Sequence, residues 1–123
     1  MPTFTQDYPA LPGSIDAAVQ HARTVAKQYQ PDRVDDAEQV VRVLFTDALT
    51  RTAPSGNISF ITTVDFSHVR FEIHDANTPV PGASTNPGTH QLVSALADRY
   101  GSGGTRGGHM AWVELHVRQV APV

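Results

Sequence analysis

The sequence predicts an α+β fold, a two-layer sandwich in which three helices cover one face of an antiparallel or mixed sheet. Two adjacent segments between about residues 14 and 51 carry apolar residues at helical spacing. Two runs rich in β-branched and aromatic residues follow, and a third such run closes the chain. The resulting order is strand, two helices, two strands, loop, helix, strand, which fits helices packed on one side of a sheet.

The composition is that of one globular domain. The chain has 123 residues, of which 40% are hydrophobic and 17% charged, so we expect a single domain over residues 1–123 with loose ends at 1–10 and 119–123. The formal net charge of -3 and the scattered Lys and Arg residues give no basic stripe for a phosphate backbone. Nucleic acid is therefore not expected as a direct partner.

The sequence also argues against a membrane or disulfide-stabilised protein. There is no cysteine, which excludes a disulfide framework and a thiolate metal site. The first residues, MPTFTQDYPALPGS, lack a charged segment followed by a long apolar run, and no stretch of the chain reaches 18 apolar residues. We therefore expect a cytoplasmic protein without membrane contact.

The first half of the chain is predicted to hold an edge strand and two helices. Residues 3 to 9 favour extended backbone and end in a proline, as an edge strand does. Ser14 is a natural N-cap for a helix over about 14 to 29. Asp32 can cap a second helix, which continues to about residue 51.

The second half is predicted to add a strand pair, a helix and a last strand. The runs NISFITTV at 57–64 and HVRFEIHD at 68–75 fit two antiparallel strands. A Pro/Gly-rich loop over 76–88 is long enough to suggest a function. A third helix is expected over about 89–100, and a glycine-rich turn then leads to a strand over about 109–117.

Two segments, LVSALADRYG at 92–101 and GGHMAWVEL at 107–115, together with this order of elements, resemble one known family. The chain is similar to the histidine-kinase-like ATPases (Bergerat or GHKL fold), in the standalone form of anti-sigma factors and serine kinases of the RsbW and SpoIIAB type. The resemblance implies ATP and Mg²⁺ as cofactors and a homodimer. It also implies a sigma factor or a STAS-domain anti-anti-sigma factor as the protein partner.

The segment VVRVLFTDALT is similar to the helix that carries the family's catalytic and metal-binding residues. Val43 stands where the family has the glutamate that acts as general base, and Asp47 stands where it has the Mg²⁺-binding asparagine. Positions i and i+4 face the same side of a helix. Valine cannot take or give a proton, so no catalytic residue is assigned, whereas Asp47 is an oxygen ligand suited to Mg²⁺. The alternative interpretation of Asp47 is an ion pair with Arg51 one turn later.

The other nucleotide-binding motifs are matched only in part. Asp75 stands at the aspartate that binds adenine, and Asn77 stands where many relatives have glycine. Of the glycine box in the ATP lid only Gly88 is near its expected place, while Thr89 and His90 stand where Gly and Leu are usual. Met110 replaces a threonine of the adenine network. Without the resemblance, Asp75 reads as a turn residue and Thr89 as a loop cap. Three of the four motifs are altered, which predicts weakened or lost ATP binding.

Two hypotheses for function follow from the resemblance. In the first, the chain is a degenerate anti-sigma-factor-like protein, a pseudo-ATPase that acts by protein binding. In the second, it is an active protein serine/threonine kinase in which another carboxylate, such as Asp36 or Glu38, replaces the missing base. A third possibility is a duplicated domain kept as a structural partner. A metal site built from His68 and His74 is not expected, because six residues of strand separate them by about 20 Å.

Overall fold

Three α-helices and five strands make up the part of the chain that this computed structural model describes, residues 2–53, 55–75, 87–105 and 108–117. Their order agrees with the predicted one except for one additional strand. The elements are β1 (Thr3–Pro9), α1 (Ser14–Tyr29), a short 3-10 helix (Pro31–Arg33), α2 (Val34–Arg51), β2 (Asn57–Val64), β3 (His68–Asp75), α3 (Pro87–Leu96), β4 (Arg99–Thr105) and β5 (Gly108–His116).

The strands form one sheet in the order β1-β2-β3-β5-β4, and each neighbouring pair is antiparallel. This confirms the predicted α+β class, with an antiparallel rather than a mixed arrangement among the described strands. The expectation of a loose end is wrong for residues 3 to 9, because β1 pairs with β2 along its whole length. Residues 119–123, the other expected loose end, lie outside the described part of the chain.

The core lies between the helices and one face of the sheet, here called the inner face. Side chains alternate between buried and half-buried along β2 and β3, as expected when one face of a sheet is covered. Phe60 and Phe71 are fully buried on this inner face, with ring centroids 5.7 Å apart. The opposite face, here called the outer face, carries the half-buried side chains. Within the described residues no helix is long and apolar enough to cross a membrane.

The predicted caps of the first two helices are wrong. Gly13 occupies the N-cap position of α1, and Ser14 lies inside the first turn, where its hydroxyl donates to the carbonyl of Pro9 at 2.7 Å. Asp32 lies within the 3-10 turn, and α2 begins after Arg33 without a side-chain cap. Tertiary hydrogen bonds of the buried Arg33 hold this turn, so the start of α2 does not depend on a capping residue.

The largest departure from the predicted fold follows α3. The helix ends at Leu96 instead of continuing to about residue 100, and the next residues form β4, which pairs with β5. The glycines expected in a turn are therefore partly strand residues. One of them is required by close packing, because a Cβ at Gly101 would lie 2.7 Å from Nε1 of Trp112, the residue directly opposite on β5.

Candidate functional site

A cavity of about 250 Å³ opens between α2, α3, β4 and the start of β5. Each of these elements contributes to its wall, which includes Leu44, Asp47, Thr89, Val93, Tyr100 and His109. The helices contribute apolar residues together with the polar Asp47 and Thr89, and β5 contributes His109. The cavity is thus mainly apolar with a few convergent polar groups, the usual character of a small-molecule site.

A second hollow of about 290 Å³ lies on the other side of Asp47. Val43, Asp47, Gly88 and Thr89 all line it, so the structure brings together four of the residues that the sequence singled out. The predicted orientation of Val43 and Asp47 toward one pocket is confirmed. Among the described residues that line this hollow, Asp47 has the one carboxylate, so the position of Val43 offers no general base.

Arg51, at the end of α2, bridges the two aspartates that the resemblance connects with Mg²⁺ and adenine. Its Nη1 donates to Oδ2 of Asp47 at 2.5 Å, and its Nε donates to Oδ2 of Asp75 at 3.2 Å. The side chains of Asp47, Arg51 and Asp75 are 8%, 7% and 0% exposed. The alternative interpretation of Asp47, a pair with Arg51, is therefore what the structure contains, with the pair buried rather than exposed.

His109 completes this polar cluster from the sheet side. It lies directly opposite Asp75 in the β3–β5 ladder, with its Nδ1 3.7 Å from Oδ2 of Asp75. Burial lowers the pKa of His109, and the positive charge of Arg51 lowers it further against the opposing effect of Asp75 and Asp47, which favours a neutral imidazole at neutral pH. Within the described residues, Nδ1 of His109 and Oδ1 of Asp75 are buried without a hydrogen-bond partner.

Among the described nucleotide-binding candidates, Met110 and the fully buried Asp75 do not line the cavity. Met110 lies opposite His74 in the ladder, one residue away from the pair of Asp75 and His109. Since successive side chains of a strand point to opposite faces, Met110 belongs to the outer face, and His109 has the inner position that the resemblance gave to Met110. Asn77 lies outside the described residues.

The sequence does not place Arg51 and His109 at this site, although they determine its polar contacts. Arg51 was considered only as a partner of Asp47, because helical spacing predicts that contact and gives no information on β3. His109 carries no local signal in the sequence, since its position beside Asp75 depends on the register of β3 and β5. The i, i+4 spacing of Asp47 and Arg51 is the one feature of the sequence that predicts part of this cluster.

The arrangement does not fit Mg²⁺ and ATP as the resemblance would place them. Arg51 is 7% exposed and within hydrogen-bonding distance of Asp47, so its charge opposes a second cation on that carboxylate with little screening by water. The Asp75 side chain is fully buried, with Oδ2 bound to Arg51 and Oδ1 without a partner among the described residues, so an adenine amino group reaches it only if the side chains around it move.

Comparison with known proteins finds similarity to solved structures and not to known sequences. No family model matches the chain, and no curated protein matches it. A crystal structure of the RsbU and RsbW domains of Rv1364c from Mycobacterium tuberculosis superposes with a TM-score of 0.72 at 12% identity, over 93% of this chain and 32% of that one. The fold is RsbW-like. The chain spans about a third of the length of that larger chain.

Proposed function

We propose that this chain is an anti-sigma-factor-like regulatory protein that acts by binding a protein partner, with ATP binding weakened or lost. The observation that carries the proposal is the buried bridge of Arg51 between Asp47 and Asp75. In this arrangement the two carboxylates that would recognise Mg²⁺ and adenine are bound within the protein. The RsbW-like fold supports the regulatory part of the proposal.

The energetic cost of opening the bridge is comparable with the binding energy of a weak nucleotide ligand. Separating a buried ion pair so that one charge loses its partner costs about 3–5 kcal/mol. A ligand with a dissociation constant of 1 mM gains about 4 kcal/mol on binding. For any nucleotide that displaces Arg51 from Asp75, the cost of the displacement would therefore offset most of the binding free energy of a millimolar ligand.

The partner proposed from the resemblance is a sigma factor or a STAS-domain anti-anti-sigma factor, bound by a homodimer of this chain. Such a partner implies action in the cytoplasm. On this proposal the affinity for the partner does not depend on nucleotide, because the carboxylates of the pocket are held by Arg51 whether or not ATP is present.

The second candidate function is an active protein serine/threonine kinase, and the shared hollow of Val43, Asp47, Gly88 and Thr89 favours it. A kinase of this type needs a base in place of Val43. The two carboxylates considered for this role are bound elsewhere, since Asp36 accepts from Arg33 at 2.7 Å and Glu38 accepts from Arg23 at 2.8 Å. Neither borders the described hollow, which supports the binding function over the kinase.

Pairwise binding assays test the proposal. The purified chain is mixed with each sigma factor and each STAS-domain protein of its own organism, with and without Mg·ATP, and complexes are detected by size-exclusion chromatography with light scattering. We expect a complex with one of them, of equal affinity in both conditions, and no transfer of radiolabelled phosphate to the STAS protein.

Two results would contradict this proposal. Phosphate transfer that Asp75→Asn abolishes would establish the kinase instead. The absence of a complex with every sigma factor and STAS protein would remove the anti-sigma function.

A further inference from the structure

Two histidines and a glutamate converge on the outer face of the sheet, on the side opposite the helices. His68 on β3 lies directly opposite His116 on β5, and Glu114 lies two residues before His116 on the same face of β5. Directly opposed side chains are separated by about 5 Å at Cβ, and i, i+2 neighbours of one strand share a face. The strand register therefore brings together residues that are 46 or 48 positions apart in the sequence numbering.

The donor atoms of these three side chains lie close enough to reach one metal ion after small movements. One candidate ligand atom from each residue lies within 4.8 Å of the other two. Nε2 of His116 is 3.2 Å from Oε1 of Glu114. Two ligands bound to one tetrahedral zinc ion at about 2.0–2.1 Å lie roughly 3.3 Å apart, so this pair needs little movement to share an ion.

Neighbouring side chains hold the cluster in place. Nη1 of Arg70 donates to Oε2 of Glu114 at 3.1 Å, which leaves the Oε1 side of the carboxylate turned toward His116. The hydroxyl of Ser67 lies 3.2 Å from Nδ1 of His68. Hydrogen bonds of this kind to ligating carboxylates and imidazoles fix their orientation in known metal sites.

The charged side chains around the cluster are compatible with a bound divalent cation. Arg70 also pairs with Glu72 at 2.9 Å and is 27% exposed, so water screens its charge more than that of the 7% exposed Arg51. Arg99 lies 3.8 Å from Oε1 of Glu114 and is 67% exposed, so water screens it and it can turn away. The Glu114 side chain is only 7% exposed, and this burial strengthens its attraction for a cation.

We propose that His68, Glu114 and His116 form a zinc-binding site that joins β3 and β5 on the outer face. Two imidazoles and one carboxylate are a donor set typical of Zn²⁺ and unlike the all-oxygen sets of Mg²⁺ and Ca²⁺. The fourth position faces solvent, since His116 is 39% exposed. The site is on the opposite side of the sheet from the Arg51 cluster, so the zinc proposal does not depend on the proposed regulatory function.

Calorimetric titration of the untagged, chelator-treated protein with ZnCl₂ at pH 7.5 tests the site. We expect one ion per chain with a dissociation constant below about 10 μM, an affinity of roughly 7 kcal/mol. His68→Ala and His116→Ala should each weaken binding at least tenfold. His74→Ala is the matched control, because His74 lies on the same face of β3 but pairs with Glu72 instead, and it should bind as the wild type does.

A second measurement distinguishes loss of the zinc site from misfolding of a variant. Trp112 is the one tryptophan of the chain and lies on β5 two residues before Glu114, so Co²⁺ bound at the cluster should quench its fluorescence in the wild type and in His74→Ala. His116→Gln, checked by circular dichroism, should remain folded and lose this quenching. The proposal is overturned if zinc affinity stays weaker than about 100 μM, or if the His74 variant weakens binding as much as the two cluster variants.

Discussion

Two buried arginines, Arg33 and Arg51, hold the described part of this fold in different ways. Arg33 donates to two carboxylates and two backbone carbonyls, at 2.7–2.9 Å. Arg51 donates to two carboxylates, but an oxygen of Asp75 and a ring nitrogen of His109 beside it have no hydrogen-bond partner among the described residues. Within the described residues, the Arg33 cluster is therefore fully hydrogen-bonded, whereas the Arg51 cluster is not.

The difference follows the position of each cluster. Arg33 joins the start of α2 to the end of α3 and the end of β5, through Asp98, Leu96 and the backbone of His116. Arg51 lies beside the cavity that the resemblance connects with nucleotide. Buried polar groups are normally paired, and exceptions concentrate at functional sites. The comparison thus separates a fully hydrogen-bonded cluster from one that leaves two buried polar atoms without a partner among the described residues, beside the cavity.

The largest expected effect is that of Arg51→Met. The substitution leaves Asp47 and Asp75 buried without a cation, which should lower the free energy of unfolding by about 3–5 kcal/mol at pH 7. Urea unfolding at pH 7 measures the loss. A loss below about 1 kcal/mol, the size expected for an exposed pair, would contradict the buried bridge.

A smaller loss is expected for Arg33→Met, about 2–4 kcal/mol. Its partner Asp98 is 42% exposed, so water can hydrate that carboxylate after the change, although two carbonyls lose a donor. Arg42→Met is the control, because Arg42 is 46% exposed and its partner Asp16 is 85% exposed, and it should change stability by less than about 0.5 kcal/mol. Equal losses for the two variants would remove the distinction between buried and surface arginines.

Strand β4 begins next to the Arg33 cluster and its residues Gly101 and Ser102 line the cavity, so it connects the two regions. Gly101→Ala should cost about 1–3 kcal/mol, because the new Cβ would lie 2.7 Å from Nε1 of Trp112. Gly103→Ala is the matched control, with nothing within 4 Å of its Cβ. Thermal unfolding and tryptophan fluorescence measure both. Similar behaviour of the two variants would contradict the packing of Trp112 on β4.

The smallest effect is a pH dependence from His109. Burial and Arg51 lower its pKa in the folded state, so the unfolded chain binds the proton more readily. This contribution to stability is fully present above about pH 6.5 and is lost as the pH falls through the lowered pKa. His109→Gln should therefore flatten the stability curve below about pH 6.5. His21, whose pKa is also lowered by burial, remains as background, and an unchanged slope would mean that His109 does not contribute.

Much of the fold could be predicted because it depends on local periodicity. The bounds of α1, β2 and β3 agree with the sequence prediction, since apolar spacing and β-branched runs are strong local signals. β4 was missed because RYGSGGT has the composition of a turn and becomes a strand only through pairing with β5. Tertiary pairing overrides local preference there.

The candidate site was predictable only in part, for the same reason. The i, i+4 geometry of α2 correctly placed Val43 and Asp47 at one hollow. The bridge from Arg51 to Asp75, the inner position of His109 and the meeting of His68 with His116 all depend on contacts between distant segments. A single sequence does not specify the register that creates them.

The central claim is that the pairing of Arg51 with Asp47 and Asp75 prevents these carboxylates from binding a nucleotide. Calorimetric titration with Mg·ATP and Mg·ADP tests this claim most directly. The account predicts no saturable heat corresponding to a dissociation constant below about 1 mM. Asp75→Asn serves as the control, because it removes the carboxylate that would recognise adenine. Saturable binding in that range by the wild type, lost in Asp75→Asn, would contradict the account and favour the kinase.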